Sequence, residues 1–393
     1  MNETRVSSGL HDARRVALVI ALTTLAGCSV FTPKQEPLPP PAEPPKPQFA
    51  EPLATHTFPY DPKVTAVVGT LQATIATEED TLPDIARRFN LGYDEVVNAN
   101  PGVDPWLPKA GTRIVLPTQF VLPDAPHEGV VVNLAALRMY YFPKPAKGEQ
   151  RVVVTVPIGI GMVGWATPEG ATKIVSKRKD PVWTPPDSVR KEHAADGDIL
   201  PARVPAGPDN PLGAFAMNLG WPSYLMHGTN KPAGVGMRAS HGCIRLYPED
   251  IATLFPQLPV GTKVTVVNQP LLYKVQDGQL YVQAFPPHEE HPEAKAAAKG
   301  QRFNKKVQEK IEQRAKPAAV AVDWALAEQV VNAAKGVAVP VSQPAVGLDQ
   351  FLASARLVEN RIPAGATWDG SDRPVPIHDA ATDAAPVVAS GGR

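Results

Sequence analysis

Apolar and polar positions change their rhythm several times along the chain, and each change marks a boundary. Val16 to Leu22 is a continuous apolar run behind Arg14-Arg15, too short to cross a bilayer. From Pro33 to Pro47 there is no apolar period at all, only Pro, Glu and Lys. Leu71 to Ile75 then alternates with a period of two, as a strand does. Asp80-Thr81-Leu82 opens a helix carrying Ile85, Ala86 and Phe89; Tyr93 to Asn100 gives a second with Val96 and Val97 inward; Thr112 to Leu116 returns to strand spacing. The pattern predicts a small α+β unit over 69–118, in the order strand, helix, helix, strand.

The texture is β-rich from 127 to 270. Val130 to Asn133, Met139 to Phe142, Val152 to Ile158, Thr172 to Val175, Ser223 to Met226 and Lys263 to Val267 are strand-like runs separated by Gly and Pro. Thr167-Pro168-Glu169-Gly170 reads as a turn, because proline presets φ at its second position. Helices are few, chiefly Pro248 to Leu254, whose acidic start suits a helix N-terminus. The expectation is a mainly β protein, with a β-sandwich or barrel-like domain behind the small α+β unit. Over 271–393 the signal decays: Glu293 to Lys316 and Asp323 to Lys335 are predicted helices, and the end from Ile377 reads as disordered. The basic residues Lys305, Lys306, Lys310 and Arg314 are interleaved with Glu309 and Glu312, which predicts a solvated helix face.

Composition sharpens this picture in two places. Forty-five prolines among 393 residues are about twice the usual share, and they make 28–68 an extended, hydrated spacer. About forty such residues at ~3.1 Å each reach on the order of 100 Å. Lys+Arg and Asp+Glu both number 39, so nothing in the overall charge argues for a nucleic-acid partner.

Both cysteines sit inside readable signals, and neither looks like half of a disulfide. Cys28 follows Leu25-Ala26-Gly27 at the end of the short apolar run. Cys243 lies in Ser240-His241-Gly242-Cys243-Ile244-Arg245-Leu246, downstream of Met226-His227-Gly228-Thr229-Asn230. Were Ser240 to Leu246 extended, period two would put His241, Cys243 and Arg245 on one face and Ser240 and Ile244 on the other. A thiolate is the reactive form of cysteine, and a neighbouring imidazole or cation lowers its pKa. Gly242 leaves bare backbone beside the sulfur, suited to amide donors for an oxyanion. Zinc is disfavoured because no second cysteine pair exists to complete a ligand set. An inert buried cysteine is the remaining bland reading, and two histidines flanking one cysteine weigh against it.

Three resemblances follow from these strings. Residues 1–27 ending at Leu-Ala-Gly-Cys resemble a bacterial lipoprotein signal, which implies a lipid-anchored chain beginning at Cys28. Ser29 after it implies the outer membrane on the periplasmic side. Glu79-Asp80-Thr81-Leu82, Asn98-Ala99-Asn100-Pro101 and Ile114-Val115-Leu116-Pro117 resemble a LysM module, which implies binding to the glycan strands of peptidoglycan; Pro83 departs from that pattern. His227-Gly228-Thr229-Asn230 with Ser240 to Leu246 resembles the signature of the YkuD-type, ErfK/YbiS-like L,D-transpeptidases. That family implies Cys243 as nucleophile, His227 as general base and His241 as the third catalytic residue. Gly242, Ser240, Arg245, Gly228 and Thr229 are implied around the oxyanion and substrate, and no cofactor is required. Its substrates are the stem peptides of peptidoglycan, with diaminopimelate or the lysine of a wall-anchored lipoprotein as the acceptor amine. A cysteine carboxypeptidase or amidase using water, and an inactive wall-binding adaptor, are the alternatives. The order His before Cys argues against the first of these, and the intact site against the second.

Overall fold

The computed structural model describes residues 57–287 and 302–361. The signal segment, Cys28 and the spacer as far as residue 56 lie outside them, as do 288–301 and the end from 362. One curled nine-stranded sheet dominates, the mainly β domain that the strand pattern predicts. Its order is Thr57–Pro59, Val152–Pro157, Arg138–Phe142, Gly129–Asn133, Lys263–Val267, Gly170–Lys179, Phe215–Leu219, Leu225–His227 and Ile244–Arg245. Two pairings are parallel, Lys263–Val267 with Gly129–Asn133 and Leu225–His227 with Ile244–Arg245. The second of these forms the functional edge.

Side-chain alternation explains how this sheet is covered. Val130, Val132, Met139 and Val156 face one core with Met217, Met226, Ile244, Leu246 and the helix Pro248–Gln257. Val131, Tyr140 and Val153 face the other way, into a second core with Leu82, Ile85, Phe89, Ile114 and Leu116. The central strands therefore read as unbroken apolar runs because both faces are buried.

That second core belongs to the small α+β unit: strand Gln72–Ile75, helix Leu82–Arg88, helix Tyr93–Ala99 and strand Arg113–Leu116, with the two strands antiparallel. Thr81 caps the first helix by accepting from the Asp84 amide, and Asp84 reciprocates to Thr81. Pro83 sits in the first turn, where a missing N–H costs nothing. The unit is bolted to the large sheet. Arg87 makes a two-pronged pair with Glu249, Asn90 donates to Asp250, Tyr247 donates to the Leu91 carbonyl, and Glu95 pairs with Arg138.

Several boundaries differ from the sequence reading. The spacer does not run to residue 68, because Thr57–Pro59 pairs with Val152–Val154 and Val67–Gly69 with Gln119–Val121. Thr167 to Gly170 is no turn; Gly170, at φ +118°, begins the long strand to Lys179. An unexpected helix, Asp187–Ala195, lies in the segment between Gly170–Lys179 and Phe215–Leu219. The C-terminal part is more ordered than its composition suggests. A hairpin, Leu271–Gln276 and Gln279–Ala284, turns at Asp277-Gly278, both at positive φ, as a two-residue hairpin loop demands. Helices Lys305–Ala315, Trp324–Ala333 and Leu348–Ala353 follow. Val307, Ile311 and Ala315 turn inward from the first, and Lys305, Lys306, Lys310 and Arg314 are exposed. Strand Arg356–Leu357 then pairs in parallel with Gln72–Ala73 of the small unit.

Candidate active site

Ser240 to Leu246 is not one strand. Arg238–Ser240 pairs with Ile160–Gly161, whereas Ile244–Arg245 pairs with Leu225–His227, so the chain changes sheets over residues 241–243. The Ser240 hydroxyl closes this bend by donating to the Cys243 carbonyl at 2.6 Å. Gly242 bends at φ +97°, and a Cβ there would stand 2.8 Å from the Tyr224 ring, so only glycine fits. The alternation expected from the sequence survives in the burial: Ser240, Gly242 and Ile244 are buried, and His241, Cys243 and Arg245 are half-buried.

Thr167 pins the bend from behind. Its hydroxyl accepts from the Gly161 amide at 3.0 Å and donates to the Gly242 carbonyl at 2.9 Å. The amides of Gly242 and Cys243 have no acceptor among the described residues, so both donors remain available beside the sulfur.

The parallel register sets His227 opposite Arg245 and places Cys243 two residues before Arg245 on the neighbouring strand. His227 is buried, and its Nδ1 lies 2.5 Å from the Gly228 carbonyl. A carbonyl only accepts, so Nδ1 carries the proton and Nε2 is the basic nitrogen. Burial, reinforced by the Arg245 cation, pushes the His227 pKa down to about 3. The Cys243 thiol donates to the Ser223 carbonyl at 3.7 Å. Burial raises its pKa, against the lowering influence of the Leu225 amide and Arg245. The resting pair is therefore a neutral thiol and a neutral imidazole, not the activated thiolate that neighbouring cations suggested. Arg245 is itself driven down by burial, and its Nε is buried without a hydrogen-bond partner.

His241 stands at the other side of the bend. Its Nε2 is 2.9 Å from Glu192 Oε2, and its ring packs nearly perpendicular to that of Trp165, with centroids 4.9 Å apart. Two residues expected near substrate lie in the loop after His227. The Gly228 amide donates to the Phe215 carbonyl, and the buried Thr229 hydroxyl accepts from the Lys231 amide, which leaves its own O–H hydrogen to donate.

The sequence reading did not identify Thr167 or Glu192 as parts of the site. Thr167 sat in a string read as a turn, and Glu192 is one acidic residue in an exposed, charged helix, with no local signal to single it out.

The loop between His227 and Ser240 leans on the small unit. Tyr93 and Asp94 donate backbone N–H to the carbonyls of Val235 and Gly236, at 3.2 and 3.1 Å. Gly236 and Gly92 meet so closely that a Cβ on Gly236 would lie 2.2 Å from the Gly92 Cα. The first turn of helix Tyr93–Ala99 is thus part of the mount of the active-site loop.

Comparison with known proteins places the chain among relatives. The family described as the L,D-transpeptidase catalytic domain (YkuD) matches residues 127–266. The chain is 41% identical over 243 residues to "Probable L,D-transpeptidase YbiS" of Escherichia coli strain K12, covering 61% of this chain and 78% of that protein. It is 44% identical over 228 residues to "Probable L,D-transpeptidase YcfS" of the same strain, covering 57% and 70%. To "Probable L,D-transpeptidase ErfK/SrfK" of Salmonella typhimurium strain LT2 it is 40% identical over 235 residues, covering 59% and 74%.

Proposed function

Because this chain belongs to the L,D-transpeptidase family of YbiS and ErfK, and is a cell-wall L,D-transpeptidase, we propose that it works through a thioester on Cys243. The observation that carries the reading is the bend at 241–243: it sets the sulfur beside two unpaired amides, with His227 on the neighbouring strand. In this mechanism the His227 Nε2 takes the thiol proton as sulfur attacks the carbonyl of the third residue of a stem tetrapeptide. The Gly242 and Cys243 amides hold the oxyanion, and the terminal D-alanine leaves with a proton returned from His227. Proton transfer from a raised-pKa thiol to a lowered-pKa imidazole is uphill in the free enzyme, so the step depends on the bound substrate.

An acceptor amine then displaces the sulfur. Diaminopimelate of a second stem gives a 3→3 cross-link, and a lipoprotein lysine gives protein anchored to the wall. Purified full-length protein incubated with tetrapeptide muropeptides, with and without acceptor amine, tests the reading. Dimer marks transpeptidation, free acid alone marks a carboxypeptidase, and no product marks an inactive adaptor. Cys243→Ala must abolish D-alanine release; retention of activity would remove Cys243 as the nucleophile.

Residues 69–118 are proposed as a LysM-type glycan-binding module. The strand-helix-helix-strand order supports this, as does an exposed platform in which Trp106 stacks on Tyr93, with ring centroids 6.0 Å apart. Cys28 is proposed as the lipid-bearing residue that tethers the enzyme to the periplasmic face of the outer membrane. The sequence pattern around Cys28 alone supports that reading.

A further inference from the structure

Residues 180–214 leave the large sheet and return to it, and their base is held firmly. The fully buried Asn210 donates to the carbonyls of Pro181, Pro205 and Val204 at 2.8, 2.9 and 3.2 Å and accepts from the Leu212 amide. Trp183 and Val204 bridge above it. On this base stands helix Asp187–Ala195, of which Val189 is buried. The helix meets the bend at 241–243 through Glu192.

A carboxylate can only accept, so the 2.9 Å contact fixes the proton of neutral His241 on Nε2. Nδ1 is left with a lone pair, and it has no partner among the described residues. This is the mirror of His227, where Nδ1 is tied and Nε2 is basic. The two imidazoles also differ in exposure: His227 is buried, whereas His241 and Glu192 are both half-exposed. A reaction in two halves, with donor and acceptor arriving in turn, has use for two bases that differ in exposure and in the nitrogen left basic.

We propose that His241 is the base for the second half-reaction, taking the proton from the acceptor amine, and that Glu192 is the positioning residue that fixes its tautomer and orientation. The proposal rests on the thioester reading above. As the amine nitrogen bonds to the thioester carbon, its N–H proton passes to Nδ1 of His241. The C–S bond breaks, sulfur leaves as thiolate, and the proton carried by His241 returns to it. The products are an amide and a neutral Cys243 thiol, with both imidazoles as they began.

The charges around His241 are compatible with this role. Glu192 raises its pKa, while burial, His193 on the same helix, and Arg245 lower it, with a net downward shift. His193 is engaged with Asp198 at 2.7 Å, and its ring centre lies 5.8 Å from that of His241. Cys243, on the same segment, is a neutral thiol at rest. His241 is therefore unprotonated near neutral pH, as a base must be.

The test separates the two half-reactions in full-length protein given a tetrapeptide muropeptide and a diaminopimelate-containing acceptor. Acyl-enzyme formation is followed by mass spectrometry, and the product ratio of dimer to free acid by chromatography. Glu192→Gln is expected to lower aminolysis by roughly tenfold or more and acylation by less than threefold, so that the product shifts from dimer towards free acid. Removing the carboxylate also lowers the His241 pKa, so the acid limb of the aminolysis profile moves to lower pH. Glu192→Asp should recover part of the dimer yield. Equal losses in both half-reactions, or an unchanged dimer-to-acid ratio, would overturn the assignment. Absence of any acyl-enzyme in the unsubstituted protein would instead remove the thioester reading, and this proposal with it.

Discussion

Glu95→Ala is expected to be among the most damaging single substitutions outside the site. Arg138 is fully buried, and its Nε and Nη2 meet Glu95 at 2.7 and 2.8 Å. It also donates to the Asn90 carbonyl at 3.0 Å and to Thr155 at 3.3 Å, and lies 4.1 Å from the Phe120 ring centre. Truncating Glu95 leaves a guanidinium in a dry interior with its counter-charge gone, a loss of about 3–5 kcal/mol. The Gly92 amide loses its acceptor as well, adding ~1 kcal/mol. With an m-value of about 3 kcal/mol/M, the urea midpoint should fall by more than ~1 M. The paired replacement Glu95→Leu with Arg138→Met removes both charges and should recover most of this loss, since a buried ion pair contributes little beyond an apolar pair of similar volume. Urea titration followed by far-UV circular dichroism measures both variants. A midpoint change below ~0.3 M for Glu95→Ala, or a double variant as unstable as the single, would refute the reasoning.

Other outcomes follow from the site and its mount. Because burial raises the Cys243 thiol, alkylation of the free enzyme by iodoacetamide should increase with pH, with a midpoint above that of an ordinary cysteine; a midpoint below the ordinary one would show a resting thiolate. Trp106→Ala removes the exposed ring of the proposed glycan platform and should weaken pelleting with purified sacculi by about 1–2 kcal/mol, roughly five- to thirtyfold. Turnover of small soluble muropeptides should stay within twofold, and unchanged pelleting would assign the platform no part in binding. A point substitution serves better than deletion of 69–118, because the Tyr93 and Asp94 amides support the loop that follows His227.

What could be read from the sequence was what depends on near neighbours. The strands Gly129–Asn133, Arg138–Phe142 and Lys263–Val267 were visible because their burial imposes an apolar pattern, and the helix from Leu82 because Thr81 precedes the helically spaced Ile85, Ala86 and Phe89. Ser240 to Arg245 stood out by residue type, and its alternation carried over into burial. Its bend did not show, since pairing with two different sheets is a property of Ile160–Gly161 and Leu225–His227. Glu192 and Thr167 were hidden for the same reason: their partners, His241 and Gly242, are distant in the chain. Gly228 and Thr229 follow His227 directly in the chain, and the Gly228 amide and the Thr229 hydroxyl oxygen also bind the surrounding loop.

The pairing of Arg356–Leu357 with Gln72–Ala73 has a consequence for how the chain acquires its structure. The Arg356 amide donates to Leu71, the Val358 amide to Ala73, and Thr74 to the Val358 carbonyl. One edge of the small unit is thus closed by residues some 280 positions downstream. Chains made or threaded from the N-terminus must hold that edge open until nearly everything else has emerged, so the earliest module to appear is among the last to be completed. Such a high contact order makes maturation slow and leaves an unpaired strand exposed to other chains meanwhile. The short C-terminal strand therefore acts as a closing clasp, and the enzyme's native assembly is a late event in the life of each molecule.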